Sequence, residues 1–136
     1  MKILDDIQDV FNEHKLKPIV LPEDCTNVYV YLKKYPEKKG EFHSEKNDRY
    51  FLKKYRNHIV KGHYGFSIGD PIIPEWCEIL DEILQICVDV DPEFGICQIK
   101  IKYGGIRFYV ESDIIEDISD IERLISNTLY DKALIY

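Results

Sequence analysis

Long apolar runs are missing from this chain of 136 residues, and none approaches the roughly 18 that a membrane-spanning helix requires. A secretory leader is missing too, since Met1-Lys-Ile-Leu-Asp-Asp carries no apolar h-region, and the expected location is the cytoplasm. The four cysteines, Cys25, Cys77, Cys87 and Cys97, show neither a C-x-x-C pair nor disulfide-like spacing. That pattern speaks for buried reduced thiols rather than a disulfide framework. The ligand-type residues His43, His58, His63, Cys25 and Cys97 fall at none of the H-x3-H, C-x2-C or H-E-x-x-H spacings of zinc sites, so no metal is assigned. No P-loop, dinucleotide fingerprint or catalytic triad is present, and no cysteine stands in a nucleophile motif. Carboxylate pairs such as Asp81-Glu82 and Asp89/Asp91 fall on solvated faces or loops, where they do not make a glycosidase pair. An enzyme therefore stands behind the binding classes, with no catalytic residue and no cofactor assigned.

An excess of positive charge is also absent. The chain carries 18 Lys and Arg against 25 Asp and Glu, a net charge of −7. Nucleic-acid binding without sequence preference draws on protein cations that displace counterions from phosphate, so the balance argues against a general DNA or RNA binder. The charge is unevenly spread. Residues 33–63 hold ten Lys/Arg and four acids, a local +6 that leaves −13 for the remainder. A restricted contact with an anionic partner stays open for that block.

What is present suits one globular domain over residues 1–136, with 45% hydrophobic and 32% charged residues and no internal repeat. Residues 2–16 have the helical spacing of Ile3, Leu4, Ile7, Val10 and Phe11, closed by Pro18 and Pro22. Val28-Tyr-Val-Tyr-Leu32 is rich in β-formers and predicts a strand. Residues 36–47 have the composition of an exposed loop, and 48–60 fit either a short helix or a strand. Gly62 to Pro71 has the three glycines and the proline of a loop. Trp76, Ile79, Leu80, Ile83, Ile86 and Cys87 then follow i, i+3, i+4, i+7, i+10 and i+11, which predicts a helix over 74–88 with Pro74 in its first turn. Ser119 and Glu122 have capping-box spacing ahead of a last helix. Helices set apart from a short, largely antiparallel sheet make the expected class α+β.

The strongest pattern is Gln98-Ile-Lys-Ile-Lys-Tyr-Gly-Gly-Ile-Arg-Phe-Tyr109, strict alternation broken by two glycines. A two-residue hairpin turn needs positive φ, which glycine supplies without steric cost. With Gly104 and Gly105 as the turn, Tyr103 pairs with Ile106, Ile101 with Phe108 and Ile99 with Val110 on an apolar face. The other face then sets Lys102 against Arg107, Lys100 against Tyr109 and Gln98 against Glu111. Like charges directly opposite on paired strands repel, so a Lys102–Arg107 pair calls for a negative partner. Gln98, Lys100, Lys102, Arg107 and Tyr109 are the candidate ligand-binding residues, with Asp70 in the glycine-rich loop placed to close over a ligand beside them. Ammonium groups and a guanidinium fork suit phosphate or carboxylate, and a tyrosine adds a stacking ring. The competing interpretation is a solvated face neutralised by Glu111 and by acids of the last helix.

The same string resembles one found in a family of small uncharacterised phage and prophage proteins. They carry a Gln-Val-Lys-Glu-Lys-Phe-Gly-Gly-Leu-Arg-Phe-Tyr-like hairpin after a Trp-containing helix. The residues that match are Gln98, Lys100, Lys102, Tyr103, Gly104, Gly105, Arg107, Phe108 and Tyr109, with Gly65-Phe66, Gly69-Asp70 and Trp76 as the lead-in. The likeness covers about residues 64–130. Many members continue into a paired-cysteine tail that this sequence lacks, and residues 1–63 form a variable N-terminal part. The resemblance implies a phage-linked origin in a bacterial host and no particular reaction.

Two binding classes follow. One is a non-catalytic protein of counter-defence that sequesters a small anionic, nucleotide-like ligand on the basic hairpin face. The alternative is an acidic inhibitor that covers a basic surface of a host protein, using a patch of Glu111, Asp113, Glu116, Asp117, Asp120 and Glu122. A homo-oligomer is compatible with either, and a membrane partner with neither.

Overall fold

The helical stripe that begins at Trp76 is the surface around which the molecule is built. A computed structural model describes the backbone of residues 1–15, 21–26, 28–41, 45–68, 74–102 and 105–133. Side chains are described for all of these except 28, 29, 39–41, 45–47, 74, 101, 102, 105 and 129–133. In chain order the elements are α1 (Leu4–His14), α2 (Val28–Lys34), a 3-10 turn (Pro36–Glu41), α3 (Glu45–Lys54), a 3-10 turn (Arg56–His58), β1 (Gly65–Ser67), α4 (Pro74–Val90), β2 (Gly95–Lys102), β3 (Gly105–Glu111) and α5 (Ile118–Ala133). This is an α+β fold.

On α4 the expected stripe is buried: Trp76, Ile79, Leu80, Ile83 and Cys87 all face the core, and Leu84 joins them, while Ile86 is half-buried. Trp76 packs on Phe11 of α1, ring centroids 5.6 Å apart. The sheet supplies Phe66, Ile96, Ile99, Ile106 and Phe108 to the same cluster, and α5 supplies Ile121 and Ile125. Burying an aliphatic or aromatic side chain of this size is worth about 1.5–3 kcal/mol by lost contact with water.

The sheet runs in the order β1-β2-β3 and is mixed rather than largely antiparallel. The glycine-rich segment read as a loop contains β1, which pairs in parallel with β2. Parallel neighbours cannot be joined by a tight turn, and α4 makes the crossover. Phe66 anchors this short strand by stacking on Phe51 of α3 at 5.0 Å. Gly65 opens β1 at φ +77°, a conformation that favours glycine, and a Cβ there would lie 2.8 Å from Cδ1 of Ile59.

Two further expectations are corrected. Val28-Tyr-Val-Tyr-Leu32 is helix α2, not a strand. A strand must pair its backbone outside itself, and the edge of β3 is already bonded by side chains of α5. A helix satisfies the same groups internally. The ambiguous 48–60 segment resolves into α3 and a 3-10 turn, and part of the expected loop 36–47 is the turn Pro36–Glu41.

The hairpin register is also corrected. Ile101 pairs with Ile106, Ile99 with Phe108, Lys100 with Arg107, Gln98 with Tyr109, and Lys102 with Gly105. Gly105 is therefore a strand residue, and the two residues between the strands, 103 and 104, lie outside the described set. Each residue has changed partner by two, which leaves both faces intact. The hydrophobic pattern is equally content with either register, so the far end of the hairpin decides. There Gly95 lies opposite Glu111, where a Cβ would come 2.9 Å from Glu111 Cγ. Cys97 forms a bulge between Ile96 and Gln98. An extra residue in one strand lets Ile96 and Ile99 both reach the core, which strict alternation forbids.

Candidate functional site

Alternation that buries Ile99, Ile106 and Phe108 turns the intervening residues to the other face of the sheet. The register sets Ser67, Lys100 and Arg107 in one row across the three strands, and Gln98 beside Tyr109 in the next. Lys100, Arg107 and Gln98 are half-buried, and Tyr109 is 49% exposed. The like-charged pair expected at Lys102–Arg107 is instead Lys100–Arg107. Lys102 closes the ladder, but its side chain lies outside the described residues, as does Asp70 altogether.

Neither Lys100 nor Arg107 makes an ion pair with any described residue. The acids expected to neutralise them are committed elsewhere. Glu122 of α5 accepts a hydrogen bond from the Phe108 backbone N–H at 3.1 Å. Asp120 pairs with Arg123 at 3.2 Å, and Glu116 with the Met1 amine at 3.5 Å. Asp117 is buried and accepts from the N–H groups of Ile3 and Leu4 at 3.0 and 2.9 Å, so it caps the start of α1. Glu111 shares the strand with Arg107 but lies four residues on, about 13 Å away. Of the six acids of the patch named from sequence, Asp117 is buried and Glu122 is half-buried against the sheet, while Glu111, Asp113, Glu116 and Asp120 are exposed.

These bonds also correct the capping box. Helix α5 begins at Ile118, Asp117 precedes it and accepts the Ile121 N–H through its carbonyl, and Glu122 serves the sheet instead. Next to it, Ser126 Oγ accepts from the Ile106 N–H at 3.2 Å and donates to the Ile106 carbonyl at 3.1 Å. Side chains of α5 thereby satisfy the outer edge of β3.

Between β3 and α5 lies a cleft of about 530 Å³ lined by Cys97, Tyr109 and Glu111 on the sheet side and by Glu122, Arg123 and Asn127 on the helix side. Sequence reasoning missed Cys97, because a bulge has no signature in residue type here, and it took Glu111 for a neutralising group. Burial, then the nearby Glu111 charge, pushes the pKa of the Cys97 thiol up, which disfavours the thiolate. Burial pushes the Cys87 thiol up to about 12. Among the described residues no group of His, Cys, Asp and Glu side chains is arranged to hold a metal ion.

A second polar cluster escaped notice in the sequence. The hydroxyls of Tyr50 and Tyr55 and the ammonium of Lys54, all on or just past α3, converge on Asp81 of α4 at 2.7, 2.5 and 2.9 Å. Burial pushes the Asp81 carboxyl up, but the bonds from Tyr55, Lys54 and Tyr50 outweigh it and hold its pKa below the usual value. The i, i+4, i+5 spacing of these three residues marks one helix face, which a helical assignment of 45–54 brings out. The cluster docks α3 on α4.

No family model, no curated protein and no solved structure matches this chain. Among the described residues no helix is long and apolar enough to cross a membrane.

Proposed function

We propose that this chain is a non-catalytic, phage-type binding protein that holds a small anionic, nucleotide-like ligand on the polar face of its hairpin. One observation carries this reading: Lys100 and Arg107 oppose each other in the ladder with no carboxylate of a described residue paired to either. Two like charges held side by side are destabilising unless an anion joins them. A guanidinium fork beside an ammonium offers the geometry that phosphate and carboxylate accept. Tyr109, in the adjoining row and half-exposed, supplies a flat surface for a ring. A counter-defence setting in the cytoplasm of a bacterial host rests on the hairpin string alone.

Calorimetry of nucleotides, cyclic dinucleotides and sugar phosphates on the wild type and on Arg107→Ala tests the proposal. At least one ligand should bind, and Arg107→Ala should weaken it by about 1.5–3 kcal/mol, the worth of a charge-assisted hydrogen bond. Stability should change by no more than about 0.5 kcal/mol, since Arg107 lies off the core face. Binding nowhere in the panel overturns the reading.

A second reading, a protein whose acidic surface covers a basic partner, is favoured by α1. Its outward face carries Asp5, Asp6, Asp9 and Glu13, all exposed and with no basic partner among the described residues.

A further inference from the structure

Along β3 the polar face reads Arg107, Tyr109, Glu111, one residue in two, so a cation, an aromatic ring and a carboxylate follow each other at intervals of about 7 Å. At the far end Gly95 makes room for Glu111: its missing Cβ would crowd Glu111 Cγ at 2.9 Å and Oε1 at 3.3 Å. The Glu111 carboxylate makes no hydrogen bond or ion pair with any described residue, so both oxygens are free to accept. The cleft beside α5 opens alongside Tyr109 and Glu111, and Asn127 stands on its other wall.

We infer that the site takes a guanine nucleotide, an assignment that rests on the anion-binding reading above and specifies its ligand. The order along the strand is that of a nucleotide laid out lengthwise: phosphate at Lys100 and Arg107, base on Tyr109, and the base's donor edge at Glu111. A carboxylate only accepts hydrogen bonds. Guanine is the common base that presents two adjacent donors, the N1–H and the N2 amino group, to a pair of carboxylate oxygens. Adenine and cytosine set one amino donor beside a bare ring nitrogen, whose lone pair the second oxygen repels. The O6 acceptor of guanine calls for a donor, and Asn127 is a side chain of that kind. Stacking on Tyr109 is indifferent to the base and adds affinity without choice.

The test is calorimetry of GMP, AMP and inorganic phosphate, at one ionic strength, on the full chain and on its Glu111→Gln and Arg107→Ala variants, each checked for an unchanged thermal midpoint. GMP should bind about tenfold or more tighter than AMP, the difference one charge-assisted contact makes. Glu111→Gln should erase that preference by weakening GMP alone, whereas Arg107→Ala should weaken both nucleotides and phosphate. Equal binding of GMP and AMP, both sensitive to Arg107→Ala, overturns the guanine assignment and leaves the anion site standing. Phosphate binding without nucleotide binding does the same. Binding of none of the three, or binding indifferent to Arg107→Ala, overturns the anion site itself and the base assignment with it.

Discussion

The sheet with α4 and α5 differs sharply from the segment that holds α2 and the 3-10 turn after it. In the first region period, propensity and burial agree: alternating residues form strands, the 3.6-residue stripe forms α4, and both meet in one core. In the second, a β-forming sequence is helical, and among the residues from 21 to 41 whose side chains are described only Cys25 is buried, outside the core cluster. Within it Tyr31 packs on Tyr35, ring centroids 5.4 Å apart. Local preference is decisive where tertiary packing reinforces it and yields where the chain must satisfy its backbone alone.

Three substitutions or titrations sharpen the contrast, beginning with the largest effect. Phe108→Ala should destabilise the chain by about 3–5 kcal/mol, through lost transfer energy and the cavity left in the core. Chemical denaturation checks it, and a loss below about 1 kcal/mol would mean that the sheet face is not the core. Tyr31→Ala should remove only an aromatic pair, about 0.5–1.5 kcal/mol. A loss as large as that of Phe108→Ala would place α2 in the cooperative core and erase the difference between the regions.

The smallest effect is at the C-terminal end of α1, where His14 lies between Glu82 and Glu75 of α4. The bond to Glu82 raises its pKa above 6.5, burial opposes this, and Glu75 adds to the rise. A raised native pKa stabilises fully below the unfolded value and loses its contribution as pH climbs through the folded one. The thermal midpoint of the wild type relative to His14→Gln should therefore decline from pH 6.5 upward. A constant difference across that range would show that the imidazolium does not hold α1 to α4.

In the first region α4, β2 and β3 were legible because their hydrophobic periods coincide with the faces they bury. The Trp76 stripe starts behind Pro74, and the isoleucines of β2 and β3 keep to one face. What was not legible has physical causes. Moving the hairpin register by two buries the same isoleucines, so only Gly95 beneath Glu111 and the Cys97 bulge decide it. Strand β1 is three residues long and owes its existence to Phe66 stacking on Phe51, a contact between distant segments. Of the candidate site, Gln98, Lys100, Arg107 and Tyr109 were visible as one polar face. That the acids of α5 are committed to backbone groups and to Arg123 was not, because Ser119-x-x-Glu122 has the spacing of a cap and Glu122 bonds to a strand instead.

That bond has a bearing on how the chain fails. The N–H and C=O of Ile106 and the N–H of Phe108 form a ready template for strand addition, and Glu122 and Ser126 bond them in place of another strand. A seal made of two side chains on one helix is lost all at once when that helix lifts. Lifting α5 would therefore turn the β3 edge into an open site for strand addition.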